Sequence, residues 1–137
     1  MEITTLYFAY GSNMNPMRMN YRCPGAVDLG GALLRNYKVT ERLYADIDYK
    51  TGAKTHGVLY IITERHLRTL DFYEGYPSIY QRVLVNIEFM NNIYWAYTYK
   101  MSDLTKIQRQ GLDYPEHYRQ LCSTGASTHN IKNCFIK

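Results

Sequence analysis

The amino-acid sequence predicts an α+β domain in which most strands are antiparallel and about three helices flank them. Three observations predict this class. Apolar runs of strand length recur along the chain, Tyr80 to Lys100 carries the clearest hairpin pattern, and three segments have helical spacing, two of them after a capping residue. No repeat, low-complexity segment or linker divides the 137 residues, so we expect one domain spanning residues 1–137.

The chain begins with a strand that leads directly into a helix. Leu6 to Tyr10 is a short apolar run typical of a buried strand, and it ends at Gly11-Ser12-Asn13. Asn15-Pro16 then combines an N-cap residue with proline at the first helical position. Pro24-Gly25 ends this short helix.

The middle of the chain predicts two strands and a second helix. Ala26 to Thr40 is strand-like, Gly52 indicates a turn, and Gly57 to Ile62 is a second apolar strand. Thr63 can cap a helix that ends near Glu74-Gly75, because Pro77 cannot continue it.

The last third predicts a hairpin followed by a helix. Apolar residues alternate from Tyr80 to Phe89 and again from Ile93 to Lys100, and Asn91-Asn92 is the candidate turn between them. A final helix starts around Pro115, and Asn130 is a plausible stop.

Composition excludes several classes of function. The net charge is +4, and the sixteen basic residues are spread along the chain, so no nucleic-acid stripe is expected. Apolar runs are far shorter than a membrane span, and the first residues lack the pattern of a secretory signal. We therefore expect no membrane partner and, by default, a cytoplasmic location. The oligomeric state stays open.

The cysteines and histidines give no sign of a metal or disulfide framework. The cysteine count is odd, with Cys23, Cys122 and Cys134, and no Cys-x-x-Cys pair occurs. The four histidines also lack metal-ligand spacing. We expect a protein that needs neither metal nor cofactor.

Two segments could carry chemistry. The loop Tyr10, Gly11, Ser12 and Asn13 lies between a strand and a helix, where free backbone N–H groups suit a carboxylate or an oxyanion. Glu74 lies among Phe72, Tyr73, Tyr76 and Tyr80, which could desolvate it and raise its pKa until it both accepts and returns a proton. The alternatives are an ordinary turn and a solvated helix end.

A third segment, Tyr114 to Tyr118, could bring the Tyr118 hydroxyl to a pocket, although a core tyrosine is the simpler interpretation. Familiar nucleophile, phosphate-loop and dinucleotide patterns do not occur.

Together these segments resemble the γ-glutamylcyclotransferase-like family, whose small members include γ-glutamylamine cyclotransferases. Two later stretches, the strand from Trp95 to Tyr99 and the helix with Tyr118 and Gly125-Ala126, extend the resemblance over nearly the whole chain. The main matching stretches are Phe8-Ala9-Tyr10-Gly11-Ser12-Asn13-Met14, Arg22-Cys23-Pro24-Gly25-Ala26, Gly57-Val58-Leu59-Tyr60, and Leu70-Asp71-Phe72-Tyr73-Glu74-Gly75-Tyr76-Pro77 with Tyr80 and Arg82.

The resemblance implies a small mixed, mostly antiparallel β-barrel with flanking helices. It further implies that Glu74 is catalytic, that the loop Tyr10 to Asn13 binds substrate, and that Tyr80 and Tyr118 line the pocket. The sequence departs from the family at Pro115-Glu116-His117, where Pro-Ser usually precedes the tyrosine. This departure leaves the choice of substrate open.

The activity implied is cyclisation of a γ-glutamyl compound, in which the substrate's own α-amine attacks its γ-carbonyl and releases 5-oxoproline and an amine. The partner is then a small γ-glutamyl molecule, which could be a γ-glutamyl amino acid, a γ-glutamylamine or glutathione. A non-catalytic binding protein on the same fold is the alternative from another class, and a nucleic-acid binder is a weaker one.

Overall fold

Five strands close into a barrel that four helices flank. The computed structural model describes residues 2–131. The strands are β1 (Thr4–Ala9), β2 (Val27–Arg42), β3 (Tyr44–Thr63), β4 (Tyr80–Phe89) and β5 (Asn92–Met101), and the helices are α1 (Pro16–Arg22), α2 (Glu64–Glu74), α3 (Asp103–Arg109) and α4 (Glu116–Thr128).

The strand order around the barrel is β1-β3-β2-β4-β5. Neighbouring strands are antiparallel except for β1 and β5, which are parallel and meet where Tyr7 faces Tyr97 to close the barrel. The predicted α+β class and mostly antiparallel barrel are therefore confirmed. Among the described residues, no helix is long and apolar enough to cross a membrane.

The predicted helix ends are also confirmed. The Asn15 side chain caps α1 by accepting from the backbone N–H groups of Met17 and Arg18, at 3.0 and 3.2 Å. Thr63 caps α2, and Gly75 ends it in the left-handed conformation with φ 65°. Local hydrogen bonds thus define the start of α1 and both ends of α2.

Two turns lie elsewhere than the sequence predicts. The hairpin between β4 and β5 turns at Met90-Asn91 rather than Asn91-Asn92, and both residues have positive φ, as a type I′ turn requires. Gly52 lies inside β3 instead of at a turn. Its φ of +85° accompanies an irregularity in the ladder, where its N–H donates to the Asn36 side chain at 3.0 Å.

The turn between β2 and β3 is at Leu43, with φ 64°, so β3 begins at Tyr44 rather than at Gly57. The helix α3 was not predicted. It begins after Ser102, whose hydroxyl accepts from the Thr105 N–H at 3.3 Å.

The helix α4 packs closely against the segment between β1 and α1. A Cβ added at Gly125 of α4 would lie 2.4 Å from the backbone of Met14 and Asn15. Only glycine permits this approach, which presses α4 onto the segment between β1 and α1. The core beneath is apolar, and its fully buried members include Phe8, Ile47, Val58, Leu59, Ile62, Leu70 and Ile87.

Candidate active site

A pocket of about 280 Å³ opens at the end of the barrel where β1 and β5 finish and β3 and β4 start. The structure brings all seven predicted site residues to its walls. They are Tyr10, Gly11, Ser12, Asn13, Glu74, Tyr80 and Tyr118. The fold brings them together from the loop after β1, from β4 and from two helices. Their individual roles stay predictions.

The loop after β1 forms a single 3₁₀ turn, Ser12–Met14, and is held rigidly. The Asn13 amide donates to the Tyr7 hydroxyl at 3.0 Å, and the Tyr60 hydroxyl donates to the Asn13 carbonyl at 2.8 Å. Arg22 donates to the Asn13 side-chain oxygen at 3.1 Å. Within residues 2–131, the backbone N–H groups of Ser12 and Asn13 have no hydrogen-bond acceptor, and both residues line the pocket.

Gly11 is required for space rather than for a positive φ. Its φ is −118°, which any residue can adopt. A Cβ at this position would lie 2.8 Å from the Tyr118 hydroxyl and 3.1 Å from the Ala45 Cβ. The loop can therefore approach α4 and β3 closely because residue 11 is a glycine.

Tyr80 and Tyr118 are both attached to the backbone of Ala45. The Tyr118 hydroxyl accepts from the Ala45 N–H at 3.1 Å, and the Tyr80 hydroxyl donates to the Ala45 carbonyl at 2.8 Å. The Tyr10 hydroxyl donates to the carbonyl of Tyr99. Burial raises the pKa of Tyr10, Tyr80 and Tyr118 far above the usual value. These phenols are therefore neutral and form a fixed polar wall.

Glu74 is the last residue of α2 and the one carboxylate among the described residues that line the pocket. Burial among protein atoms raises the pKa of Glu74 to about 7, while the positive charges of Arg22 and Arg18 partly oppose the rise. The carboxyl therefore exchanges a proton near neutral pH.

The aromatic residues that surround Glu74 are only partly those expected from the sequence. Tyr73 and Tyr80 line the pocket, but Phe72 is 81% exposed and Tyr76 is 39% exposed, and neither lines it. Phe72 precedes Glu74 by two residues in α2 and so lies on another side of the helix, whereas Tyr76 follows the end of the helix at Gly75. The tyrosines of the barrel end, such as Tyr7, supply the remaining cover.

The positive charge at the pocket was not predicted from the sequence. Arg18 and Arg22 of α1 and Arg109 at the end of α3 line it, together with the exposed His117 of α4. The Arg22 guanidinium also lies 4.3 Å from the centre of the Tyr73 ring. Arg18 and Arg22 are four apart in a helix that follows the loop, and this spacing could have indicated a shared face.

The described residues contain no group of three or more His, Cys, Asp or Glu arranged to hold a metal ion. Cys23 and Cys122 are buried, and Cys134 lies outside the described residues. That the protein acts without metal or cofactor stays a prediction.

Comparison with known proteins relates this pocket to a family. The family model described as "Gamma-glutamyl cyclotransferase, AIG2-like" matches residues 7–120. No curated protein sequence matches.

Similar solved structures include an uncharacterised human protein, with 23% identity and a TM-score of 0.78 over 92% of this chain and 80% of that one. A gamma-glutamyl cyclotransferase has 23% identity and a TM-score of 0.76, over 93% of this chain and 80% of that one. YkqA from Bacillus subtilis has 25% identity and a TM-score of 0.76, over 96% of this chain and 51% of that one. These likenesses agree with the barrel described above.

Proposed function

Because the chain belongs to the gamma-glutamyl cyclotransferase, AIG2-like family, we propose that it cyclises γ-glutamyl compounds and releases 5-oxoproline and an amine. One observation carries the proposal. In the part of the chain that the structure describes, Glu74 is the one pocket carboxylate, its pKa is raised to about 7, and it shares the pocket with the unpaired backbone N–H groups of Ser12 and Asn13. Such a pocket offers one proton carrier and one anion site.

The reaction needs no nucleophile from the protein, because the substrate contains one. Its α-amine attacks its γ-carbonyl, the C–N bond of the five-membered ring forms, and the γ-amide C–N bond breaks. The α-ammonium nitrogen must lose two protons, one before it attacks and one as the ring amide forms. The leaving nitrogen gains both and departs as an ammonium. Glu74 can accept the first proton and donate it to the leaving amine, so the carboxyl returns to its starting state.

The raised pKa of Glu74 suits this transfer. An α-ammonium has a pKa of about 8, so moving its proton to a carboxylate with a pKa of about 7 costs about 1.4 kcal/mol. A carboxylate with the ordinary pKa of 4.5 would make the same step cost about 5 kcal/mol. Burial of Glu74 therefore removes most of the cost of proton transfer while leaving the group partly ionised at neutral pH.

The loop after β1 supplies the anion site, and the pocket holds the substrate in place. Negative charge develops on the γ-carbonyl oxygen as the ring closes, and the N–H groups of Ser12 and Asn13 can donate to it. A pocket of about 280 Å³ also holds a small substrate in a folded shape. Folding brings the amine to the carbonyl, and orientation of this kind is a large source of rate.

The experiment that tests the function is incubation of the purified protein with γ-glutamyl amino acids, γ-glutamylamines and glutathione, followed by assay of 5-oxoproline and the free amine. We expect equal amounts of both products from at least one compound. Binding without either product would favour the non-catalytic alternative. The absence of both binding and product would reject the proposal.

A further inference from the structure

The pocket carries more positive charge than a γ-glutamyl group can use. Among residues 2–131, three arginines, Arg18, Arg22 and Arg109, and one carboxylate, that of Glu74, line it. A γ-glutamyl group brings one α-carboxylate and one α-ammonium, and so adds no net charge. A positive excess remains after it binds, which favours a substrate with further negative charge.

Two of the arginines act directly on the charge of Glu74. Arg22 and Arg18 are the cations whose charge lowers the pKa of that carboxyl against the effect of burial. The substrate's α-carboxylate shares a carbon atom with the amine that Glu74 deprotonates. It must therefore lie on this same side, within reach of α1.

Arg109 lies on another side of the pocket. Its guanidinium is 5.4 Å from the centre of the Tyr44 ring, and its charge acts on the Tyr80 hydroxyl. The Tyr44 ring in turn contacts Tyr118 edge-on at 4.9 Å. Unlike Arg18 and Arg22, Arg109 is not a cation whose charge lowers the pKa of Glu74. We therefore assign Arg109 to the part of the pocket beyond the reacting amine.

Arg109 is held in place, yet its charge is not neutralised. One turn earlier in α3, Lys106 donates to Asp48 at 2.6 Å and to the Ile47 carbonyl at 3.3 Å, which fixes the helix to the start of β3. Within residues 2–131, no carboxylate lies within ion-pair distance of Arg109. Its N–H donors are therefore available, half-buried, at the pocket wall.

We propose that Arg109 is a specificity-determining residue that binds a carboxylate on the leaving amine, so that γ-glutamyl amino acids are preferred over γ-glutamyl compounds with an uncharged leaving group. This inference rests on the proposed function. The leaving group extends away from the closing ring, toward the part of the pocket that Arg109 lines. A guanidinium suits a carboxylate there, because its planar N–H groups can donate to both oxygens.

The test uses two substrates of nearly equal size, γ-glutamyl-alanine and γ-glutamyl-alaninamide, which differ in one carboxylate. We expect the parent to prefer the alanine compound in kcat/KM, and Arg109→Gln to lower that preference about tenfold, mainly through KM. The two leaving amines differ in basicity, but this difference cancels when the preferences of parent and variant are compared. Arg109→Lys should keep part of the preference.

Removing an arginine far from the pocket is the matched control. Arg68 is exposed on α2 and does not line the pocket, so Arg68→Gln should keep the parental preference. An unchanged preference in Arg109→Gln, with normal unfolding, would overturn the inference while 5-oxoproline release kept the proposed function intact.

Calorimetric binding of both compounds separates the two proposals if turnover is absent. In a Glu74→Gln background, which blocks proton transfer, adding Arg109→Gln should weaken binding of the alanine compound about tenfold and leave the alaninamide compound nearly unchanged. This result without any 5-oxoproline from the parent would reject the cyclisation and keep the carboxylate site. Equal weakening of both compounds would overturn the carboxylate site.

Discussion

Replacing Glu74 by glutamine should make the protein more stable at alkaline pH. Burial raises the pKa of this carboxyl from 4.5 to about 7 in the folded protein, so the folded state binds the proton more tightly than the unfolded chain does. Stability is therefore lost as pH rises from 4.5 through about 7, and the loss is complete above that range. Glutamine is never ionised and avoids the loss.

The magnitude follows from the size of the shift. A difference of about 2.5 pH units at about 1.4 kcal/mol per unit gives about 3 kcal/mol. The free energy of unfolding of Glu74→Gln, minus that of the parent, should therefore be about 3 kcal/mol larger at about pH 9 than at about pH 4. Such a gain is a large fraction of the stability of a small domain.

Urea denaturation of both proteins across this pH range measures the difference directly. Glu64→Gln is the matched control, since Glu64 begins the same helix and is exposed away from the pocket. A difference between Glu74→Gln and the parent that did not grow with pH would refute the raised pKa of Glu74. A control variant that reproduced the gain would show that the effect is not specific to the pocket.

Three other predictions concern the loop after β1, the ion pair of Asp71 in α2 and independence from metal ions. Gly11→Val should weaken substrate binding, measured by calorimetry, at least tenfold. A Cβ at this position would lie 2.8 Å from the Tyr118 hydroxyl, so the valine side chain would displace that hydroxyl. Binding equal to the parent's would show that the loop is only a turn. Asp71→Asn should lower stability by about 1 to 3 kcal/mol in urea while turnover changes less, because Asp71 pairs with Arg82 and accepts from the Tyr99 hydroxyl at 2.6 Å; a larger loss in turnover than in stability would contradict a supporting role. Chelator should leave 5-oxoproline release unchanged, and activity lost in chelator but restored by a divalent ion would refute metal independence.

Local chemistry explains why much of the fold could be predicted. Asn15-Pro16 and Thr63 carry their capping geometry in the residues themselves, and the alternation in β4 is a direct consequence of one buried barrel face. The boundary of β3 could not be predicted in the same way. Tyr44 to Thr51 lacks a strong apolar pattern, and its pairing with β2 depends on a turn at Leu43, a residue that seldom takes positive φ.

The site residues also differ in whether the local sequence could identify them. The loop after β1 and Glu74 could be found because each lies in a recognisable stretch of sequence. Arg109 could not, since its helix was not predicted and its place at the pocket depends on long-range contacts, such as Lys106 with Asp48. Basic residues that look dispersed along the chain are brought together only when the barrel closes.

The most direct test of the account is the turnover number for 5-oxoproline release by Glu74→Gln, measured on a substrate that the parent cyclises. Glutamine keeps the size of the side chain but cannot accept the ammonium proton. We expect kcat to fall by a factor of about 100 to 10,000, the usual contribution of general acid–base catalysis, while calorimetric affinity for the substrate stays within a few-fold of the parent's. A near-parental kcat in Glu74→Gln would contradict the assignment of Glu74 as the residue that moves the proton.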